Sequence, residues 1–427
     1  MPVQEIPQNG QRISRELALE HIRHHLRTHP PRTRTMPVSQ ALGLVCSRDL
    51  FAAHMSPAAP RASVDGYALD SQATLAATPE TPASFALAGE IRPSTNAPPE
   101  LAAGQAAVIL TGGQLPTGAD CALAAEHAEI KDGRLLVRCA CAPGAHVRPA
   151  GHDLKAGTRI ARHGDELTPA VLAALAVSGV RQAEAFLRPQ ALVLAVGNEL
   201  APLEGGVDEN GGNGAGRIPA DNLLLAAGLL RMRGLDSVEA EVCANDLEAI
   251  AARLTQAGDC ECIVTTGGTG PGQRDFILRA ASLAGFSPLF NGVALTPGKS
   301  CFAAVRGRTI LFALPGTPWA VFALMHALVL PAVCWLRGRT LPVPGPILAR
   351  PLTMPPSTQP GWERLVPCTV TAVGAELHAL PLLDRNRESR RDMIDAQGLL
   401  IVSGLEEPDE LLPMIPIWEH RLGHRLD

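Results

Sequence analysis

Aromatic side chains are scarce in this 427-residue chain, with four tryptophans, nine phenylalanines and one tyrosine making up 3%. Because 46% of the residues are nevertheless hydrophobic, Ala, Leu and Val must fill the core, and the composition is that of a folded chain and not a disordered one. An excess of basic charge is lacking too. The formal net charge is -5 and the arginines are scattered singly, so no basic stripe is offered to nucleic acid. Residues 1–11 are polar and contain no apolar export segment, which predicts a cytoplasmic, reducing setting for the ten cysteines. Cys139/Cys141 and Cys260/Cys262 are C-x-C pairs without a second pair or histidines at zinc spacing, so buried free thiols are expected in place of a metal centre. The longest apolar run, residues 319–335, falls short of the roughly 20 residues that cross a bilayer. It also holds His326 and Pro331; a core helix is expected, and no membrane partner.

What is present falls into segments of different periodicity. Ser14 can cap a helix over residues 15–28, whose Leu19, Ile22 and Leu26 recur at helical spacing and which Pro30 and Pro31 stop. Residues 55–148 change to short alternating apolar segments broken by Pro and Gly, the pattern of a small all-β unit. Thr168, Pro169 and Gly179 then bracket one helix as cap, first position and terminator. The β unit therefore reads as an insertion.

From residue 190 onward strands and helices alternate: strand 191–196, helix 221–233, strand 238–242, helix 246–256, strand 262–266. This is the signature of a parallel sheet with crossover helices. A glycine-rich loop over residues 204–216 lies just beyond the first strand, where open α/β sheets bind ligands. The Pro-rich residues 341–346 read as a linker, and residues 347–418 as a C-terminal β domain.

The most specific local signal is Thr265-Thr266-Gly267-Gly268-Thr269-Gly270-Pro271-Gly272, which joins a buried strand to a helix. Glycines there let backbone N–H groups approach a phosphate or a polar ring, the threonines add hydroxyls, and the helix N-terminus favours an anion. It is neither a Walker loop nor a dinucleotide fingerprint. Glu199 and Asp275 each follow a predicted parallel strand, so both are expected on the carboxyl edge, where two acids can hold Mg²⁺ together with phosphate oxygens and water. Pro297-Gly298-Lys299 offers a cation on a turn, and Leu314-Pro315-Gly316-Thr317-Pro318 ends a strand at a rigid turn.

Together these segments resemble molybdopterin molybdenumtransferase, the MoeA and gephyrin E-domain family, over nearly the whole chain. Ser63-Val-Asp65-Gly-Tyr67-Ala68 is similar to the family's S-x-D-G-Y-A, and Ile109-Leu-Thr111-Gly-Gly-Gln-Leu-Pro116-Thr-Gly118-Ala-Asp120 to its I-M-T-G-A-x-x-P-x-G-A-D. Gly151-His-Asp153-Leu resembles G-x-D-I, and Val196-Gly-Asn198-Glu199-Leu resembles T-G-D-E-L. Arg364 and Ser389 sit roughly where the family has an arginine and a serine in its last domain.

The resemblance implies a multidomain α/β protein. Its parts are a discontinuous, helical and mixed N-terminal domain (14–54 plus 147–186), an inserted β domain (55–146), a molybdopterin-binding, MogA-like α/β domain (187–338) and a C-terminal β domain (347–420). It implies a homodimer that inserts molybdenum from molybdate into adenylylated molybdopterin and releases AMP with Mg²⁺, and a molybdoenzyme as recipient. By the same resemblance Asp65, Glu199, Asp275 and Lys299 are candidate catalytic residues, with Glu199 and Asp275 holding the metal. Thr111, Thr266, Gly267, Gly268, Thr269, Gly270, Gly272, Pro315, Gly316, Arg364 and Ser389 are candidates for holding the pterin.

Several departures fall on charged positions. Asn198 stands where the family has an aspartate, Asn245 near another of its acids, Thr296 at a lysine of K-P-G-K-P, and Thr317 in P-G-N-P. The glycine loop is closer to the related MogA adenylyltransferases. Two other readings are a binding paralogue that carries the cofactor without turnover, and a nucleotide enzyme of the CinA type, which would not need the inserted-domain motifs.

Overall fold

The computed structural model describes residues 12–94, 98–201, 218–268, 274–340, 345–382, 389–404 and 410–417. Two compact units emerge, one of Thr35–Leu42 and Arg48–Glu184, the other of Met1–Arg34, Gly43–Ser47 and Ala185–Asp427. The larger opens with helix α1 (Arg15–Thr28). Ser14 Oγ accepts from Leu17 N–H at 3.1 Å, satisfying one of the free amides of the first turn, while Ala18, Ile22 and Leu26 are buried on one face.

The smaller unit carries a six-stranded sheet built from β1 (Gly66–Leu69), β2 (Ala83–Ile91), β3 (Gln105–Ile109), β4 (Cys121–Ala124), β5 (Ala128–Lys131) and β6 (Arg134–Val137), in the order β4-β1-β3-β2-β6-β5. Only β2 and β3 run parallel; the other neighbours are antiparallel. Phe85, Leu69 and Leu135 gather on one side with Cys121, and Ile91, Ala107 and Ile109 on the other. Alternating apolar residues with few aromatics thus cover both faces. Gly66 is obligatory, since a Cβ there would lie 1.9 Å from the carbonyl oxygen of Leu123 on β4. The helix α2 (Pro169–Val177) follows, capped by Thr168 and ended at Gly179 with φ +86°.

The larger unit continues with β7 (Ala191–Val196), α3 (Asp221–Met232), β8 (Val238–Cys243), α4 (Leu247–Gln256), β9 (Cys262–Thr266), α5 (Arg274–Leu283), β10 (Ser287–Asn291), the short β11 (Leu295–Thr296), β12 (Phe302–Arg306) and β13 (Thr309–Leu314). The sheet order is β8-β7-β9-β13-β12-β10. The first four strands are parallel, as the strand–helix alternation implies. The last two pairings, β13 with β12 and β12 with the edge strand β10, are antiparallel, because β10, β12 and β13 follow one another without a crossover helix to carry the chain back. Leu192, Leu194 and Val196 pack on one face with Ile263, Leu311 and Ala313, while Val193, Val264 and Phe312 pack on the other. Burial on both faces gives the unbroken apolar strands seen in the sequence.

The apolar run forms one helix, α6 (Pro318–Leu336), whose apolar window is 89% buried. Its middle turn, Met325–Val329, widens to a π-helix just before Pro331, whose ring and missing N–H cannot continue the regular ladder. Within it His326 is buried, and desolvation pushes its pKa down to about 3, so the imidazole sits neutral among apolar neighbours. The cysteines are all free, and nine are buried with only Cys139 exposed.

The C-terminal strands are β14 (Ile347–Pro351), β15 (Glu363–Val373), β16 (Glu376–Pro381), β17 (Gly398–Val402) and β18 (Leu412–Pro416), with helix α7 (Arg390–Asp395) before β17. Pairing runs β15-β16-β14-β18-β17 and returns from β17 to β15, closing a small barrel without free edges. From the sheet segment, β11 joins it in parallel, with Leu295 opposite Glu363 and Thr296 opposite Arg364. Barrel and sheet are also tied by Arg15, whose guanidinium grips Glu363 through two bonds of 2.7 and 3.1 Å.

Candidate active site at the carboxyl edge of the sheet

Register places four turns side by side. Val196 pairs with Cys243, Ala195 with Thr266, and Thr266 with Leu314, so the segments after β7, β8, β9 and β13 emerge along one edge. A fifth joins them from the opposite direction. Phe302 pairs with Ala313, which brings the Pro297-Gly298-Lys299 turn, three residues earlier, to the same edge. Ligands of open α/β sheets bind at such an edge.

Backbone closeness explains the glycines there. At Gly267, φ is +86° and a Cβ would lie 2.5 Å from Val196 O; its N–H donates to Leu314 O at 3.1 Å. Gly267 is thus a spacer between two turns, and its amide is committed to the fold and not to a ligand. Gly268 also has positive φ, +63°, and packs toward Ile277 of α5. Gly316 faces Gly267, since a Cβ on it would stand 3.2 Å from the Gly267 Cα. Thr266 is buried under these turns, and the hydroxyl of buried Thr265 finds no partner among the described residues. Thr269, Gly270 and Gly272 lie outside the described residues, as does the loop over 204–216. Asp275 opens α5 with its side chain likewise outside them.

Glu199 is exposed at the end of β7, and its carboxylate bends back over Gly197, where a Cβ would meet its oxygens at 2.6 and 2.7 Å. Glycine at 197 therefore leaves the space the carboxylate occupies. An exposed carboxylate at a strand end suits Mg²⁺, which takes one or two protein oxygens and completes its shell with water and phosphate. Among the described residues, no group of three or more His, Cys, Asp or Glu side chains is placed to hold a metal. Beside Glu199, Asn198 Oδ1 accepts the N–H of Asn245 at 3.0 Å. Two amides thus join the turns after β7 and β8 without adding charge.

The cationic candidates are Lys299 and Arg364. Lys299 is exposed, and its carbonyl accepts from Arg12 Nε at 3.1 Å. Thr296 lies opposite Arg364, so the barrel strand β15 carries an arginine to the Lys299 turn. Ser389 caps α7: its hydroxyl accepts from Asp392 N–H while Asp392 accepts from Ser389 N–H, a capping box. The next residue, Arg390, reaches Asp221 Oδ2 at 2.7 Å, and Asn222 Nδ2 donates to Gly316 O at 2.8 Å. By these links Ser389 is held near the β13 turn. Asn222 was not among the residues expected from sequence, although an Asp-Asn pair opening α3 carries the usual mark of a polar helix start.

In the smaller unit, Asp65 and Thr111 meet. Gly66 pairs with Ile109, which sets Asp65 across from the end of β3. There Thr111 donates its N–H and its hydroxyl to Asp65 Oδ1 at 2.6 and 2.8 Å. These two bonds, the backbone one first, hold the Asp65 carboxyl below the usual carboxylate range.

Residues 13–179 match the model of the MoeA N-terminal region (domain I and II), and residues 192–334 that of a probable molybdopterin binding domain. The chain belongs to the MoeA family. Members are transferases of molybdenum cofactor biosynthesis. Molybdopterin molybdenumtransferase 2 of Mycobacterium tuberculosis is 29% identical over 314 residues, 71% of this chain and 75% of its own length. Molybdopterin molybdenumtransferase of Bacillus subtilis is 27% identical over 384 residues, 87% of this chain and 86% of its own. Among solved structures, two of the molybdopterin biosynthesis MoeA protein from Pyrococcus horikoshii align with TM-scores of 0.78 and 0.73 at 24% and 21% identity. Each covers 95% of this chain and, respectively, 99% and 100% of the other. At such identity the likeness concerns the MoeA fold.

Proposed function

We propose that this MoeA-family chain inserts molybdenum from molybdate into adenylylated molybdopterin and releases AMP, acting as a cytoplasmic homodimer. The observation that carries the reading is the carboxyl edge itself. There Gly267 and Gly316 let two turns approach closely, Glu199 supplies an exposed carboxylate, and the Lys299 turn, with Arg364 on the neighbouring strand, reaches the same edge.

Cleavage of a phosphoanhydride asks the protein mainly to position the reactants and stabilise charge; no nucleophilic side chain is needed. Glu199, with Asp275, would hold Mg²⁺. When bound, that ion would act as a Lewis acid and offset charge developing in the reaction. Lys299 and Arg364 attract the oxyanion of molybdate or of the leaving phosphate, and the glycine turns let the pterin approach the strand ends. Asp65 of the smaller unit, whose carboxylate is stabilised by Thr111, is a further candidate catalytic residue.

A second reading is favoured by particular residues. Asn198, Asn245, Thr296 and Thr317 place neutral groups where the MoeA pattern has polar or charged ones, and Asn198 Oδ1 is already engaged by the backbone N–H of Asn245. A carrier that binds the pterin without turnover fits that loss of charge. Purified protein, adenylylated molybdopterin, molybdate and Mg²⁺ separate the two: an insertase releases AMP and yields cofactor that activates an apo-molybdoenzyme. Tight binding of the adenylylated pterin with no AMP formed would reject the enzyme and leave the carrier.

A further inference from the structure

Asn222 sits on the first turn of α3 with 9% of its surface exposed. Its two polar ends differ. Nδ2 donates to Gly316 O at 2.8 Å, and since a carbonyl can only accept, this bond fixes which end of the amide faces the β13 turn. The other end, Oδ1, is buried and has no donor among the described residues. An amide oxygen withdrawn from water without a donor is unfavourable, so a fully buried position with one unused acceptor is one that apolar packing would fill with leucine, as at the adjoining Leu223 and Leu230.

The chemistry of the orphan atom selects its ligand. An acceptor repels phosphate and molybdate oxygens, which are acceptors themselves, and pairs only with an N–H or O–H. The carboxyl edge that Asn222 shares with Gly316 and Gly267 is the edge assigned above to the pterin, a ring rich in N–H donors. We propose that Asn222 is a recognition residue for the pterin ring, accepting a ring N–H at Oδ1 while Nδ2 holds the Gly316 turn. This rests on the pterin-binding reading of the site and adds to it a neutral contact that distinguishes the ring from the anionic parts of the same substrate.

Two variants of the full-length protein separate recognition from scaffolding. Asn222→Leu removes donor and acceptor, whereas Asn222→Asp removes only the donor and keeps an acceptor. The phosphate-free probe 6-hydroxymethylpterin, followed by its fluorescence, avoids repulsion between the new carboxylate and a phosphate. The expected result is tenfold or greater weakening for Asn222→Leu and no more than about threefold for Asn222→Asp, with AMP affinity unchanged in both and thermal melting confirming that both fold. Equal weakening in the two variants would mean that only the Gly316 tether matters, and no weakening in either would remove the contact altogether. Weakening of AMP in place of the pterin would assign the acceptor to the adenine. A wild-type chain that binds molybdopterin but not the phosphate-free pterin also overturns the inference. If wild type binds no molybdopterin at all, the functional reading itself fails, and that outcome is distinct from the others.

Discussion

Thr111 gives both of its donors, the backbone N–H and the side-chain hydroxyl, to one oxygen of Asp65, at 2.6 and 2.8 Å. The two residues stand 46 positions apart and meet because β1 pairs with β3 from Gly66 and Ile109. Their bonds stabilise the ionised carboxylate and lower its pKa. A carboxyl lowered in the folded state contributes stability that is complete above its unfolded pKa, about 3.9. That contribution is lost as pH falls through the lower folded value.

Thr111→Val removes the hydroxyl and keeps the amide, which is the larger cause. The Asp65 pKa should therefore rise part of the way to its ordinary value, as read by carboxyl NMR titration; an unchanged pKa would contradict the hydroxyl's share. Asp65→Asn keeps an acceptor for both bonds but removes the charge. It should melt near wild type and release AMP at least about tenfold more slowly. Wild-type rates would show that the charge takes no part.

Gly267 and Gly316 are expected to differ when each becomes alanine. At Gly267 the positive φ costs about 1–3 kcal/mol for a non-glycine residue, and the new Cβ strikes a backbone carbonyl at 2.5 Å, which cannot swing aside as a side chain does. Gly267→Ala should lower stability by about 2–4 kcal/mol and abolish pterin binding. At Gly316 the contact is 3.2 Å with no left-handed φ, so Gly316→Ala should fold nearly normally and weaken the pterin more than it lowers the melting temperature. Calorimetry and pterin titration on both proteins check the order, and a reversed order would deny Gly267 its spacer role.

Much of this architecture was readable from residue patterns. The caps Ser14 and Thr168, the strands 191–196 and 262–266 and the stop at Gly179 all appear where local sequence placed them, because caps, buried parallel strands and left-handed glycines are set by side chains close at hand. Long-range pairings were not readable. Nothing local in Ser287–Asn291 or Phe302–Arg306 announces antiparallel pairing, and the return of β17 to β15 depends on residues more than twenty positions apart. The site shows the same division. Glu199 and Lys299 stood out because they are charged, whereas Asn222 is significant only through Gly316, 94 positions away. Ser389-Arg-Arg-Asp392 does spell a capping pattern, S-x-x-D, and that pattern explains the hydroxyl first expected to face the pterin.

Arg15 and Glu363 form a bidentate ion pair in which the side chains are only 9% and 18% exposed. Removing one partner of such a pair leaves a buried charge without compensation, a loss of about 3–5 kcal/mol. Glu363→Ala should show a loss of that size by denaturant unfolding. Because apolar replacement of both partners removes the orphan charge, Arg15→Met with Glu363→Leu should recover most of it. Additive losses in the double variant would show that the two residues act independently.

The Thr296 position offers a test of charge at the Lys299 turn. Thr296 is exposed and lies opposite Arg364 in the β11–β15 register, so Thr296→Lys adds a second lysine three residues before Lys299 without entering the core. Two unit charges about 4 Å apart in water interact by about 1 kcal/mol, which corresponds to roughly a fivefold change in affinity. Under the insertase reading, Thr296→Lys should lower the molybdate concentration for half-maximal AMP release by about that factor, and Lys299→Ala should raise it. The gain should shrink with added salt, since exposed charges are screened over about 10 Å at 0.1 M ionic strength. If instead wild type forms no AMP and the lysine variant forms it readily, the missing charge is what separates a carrier from an insertase in this chain. If AMP release ignores both substitutions at low salt, the Lys299 turn does not face the reacting anion.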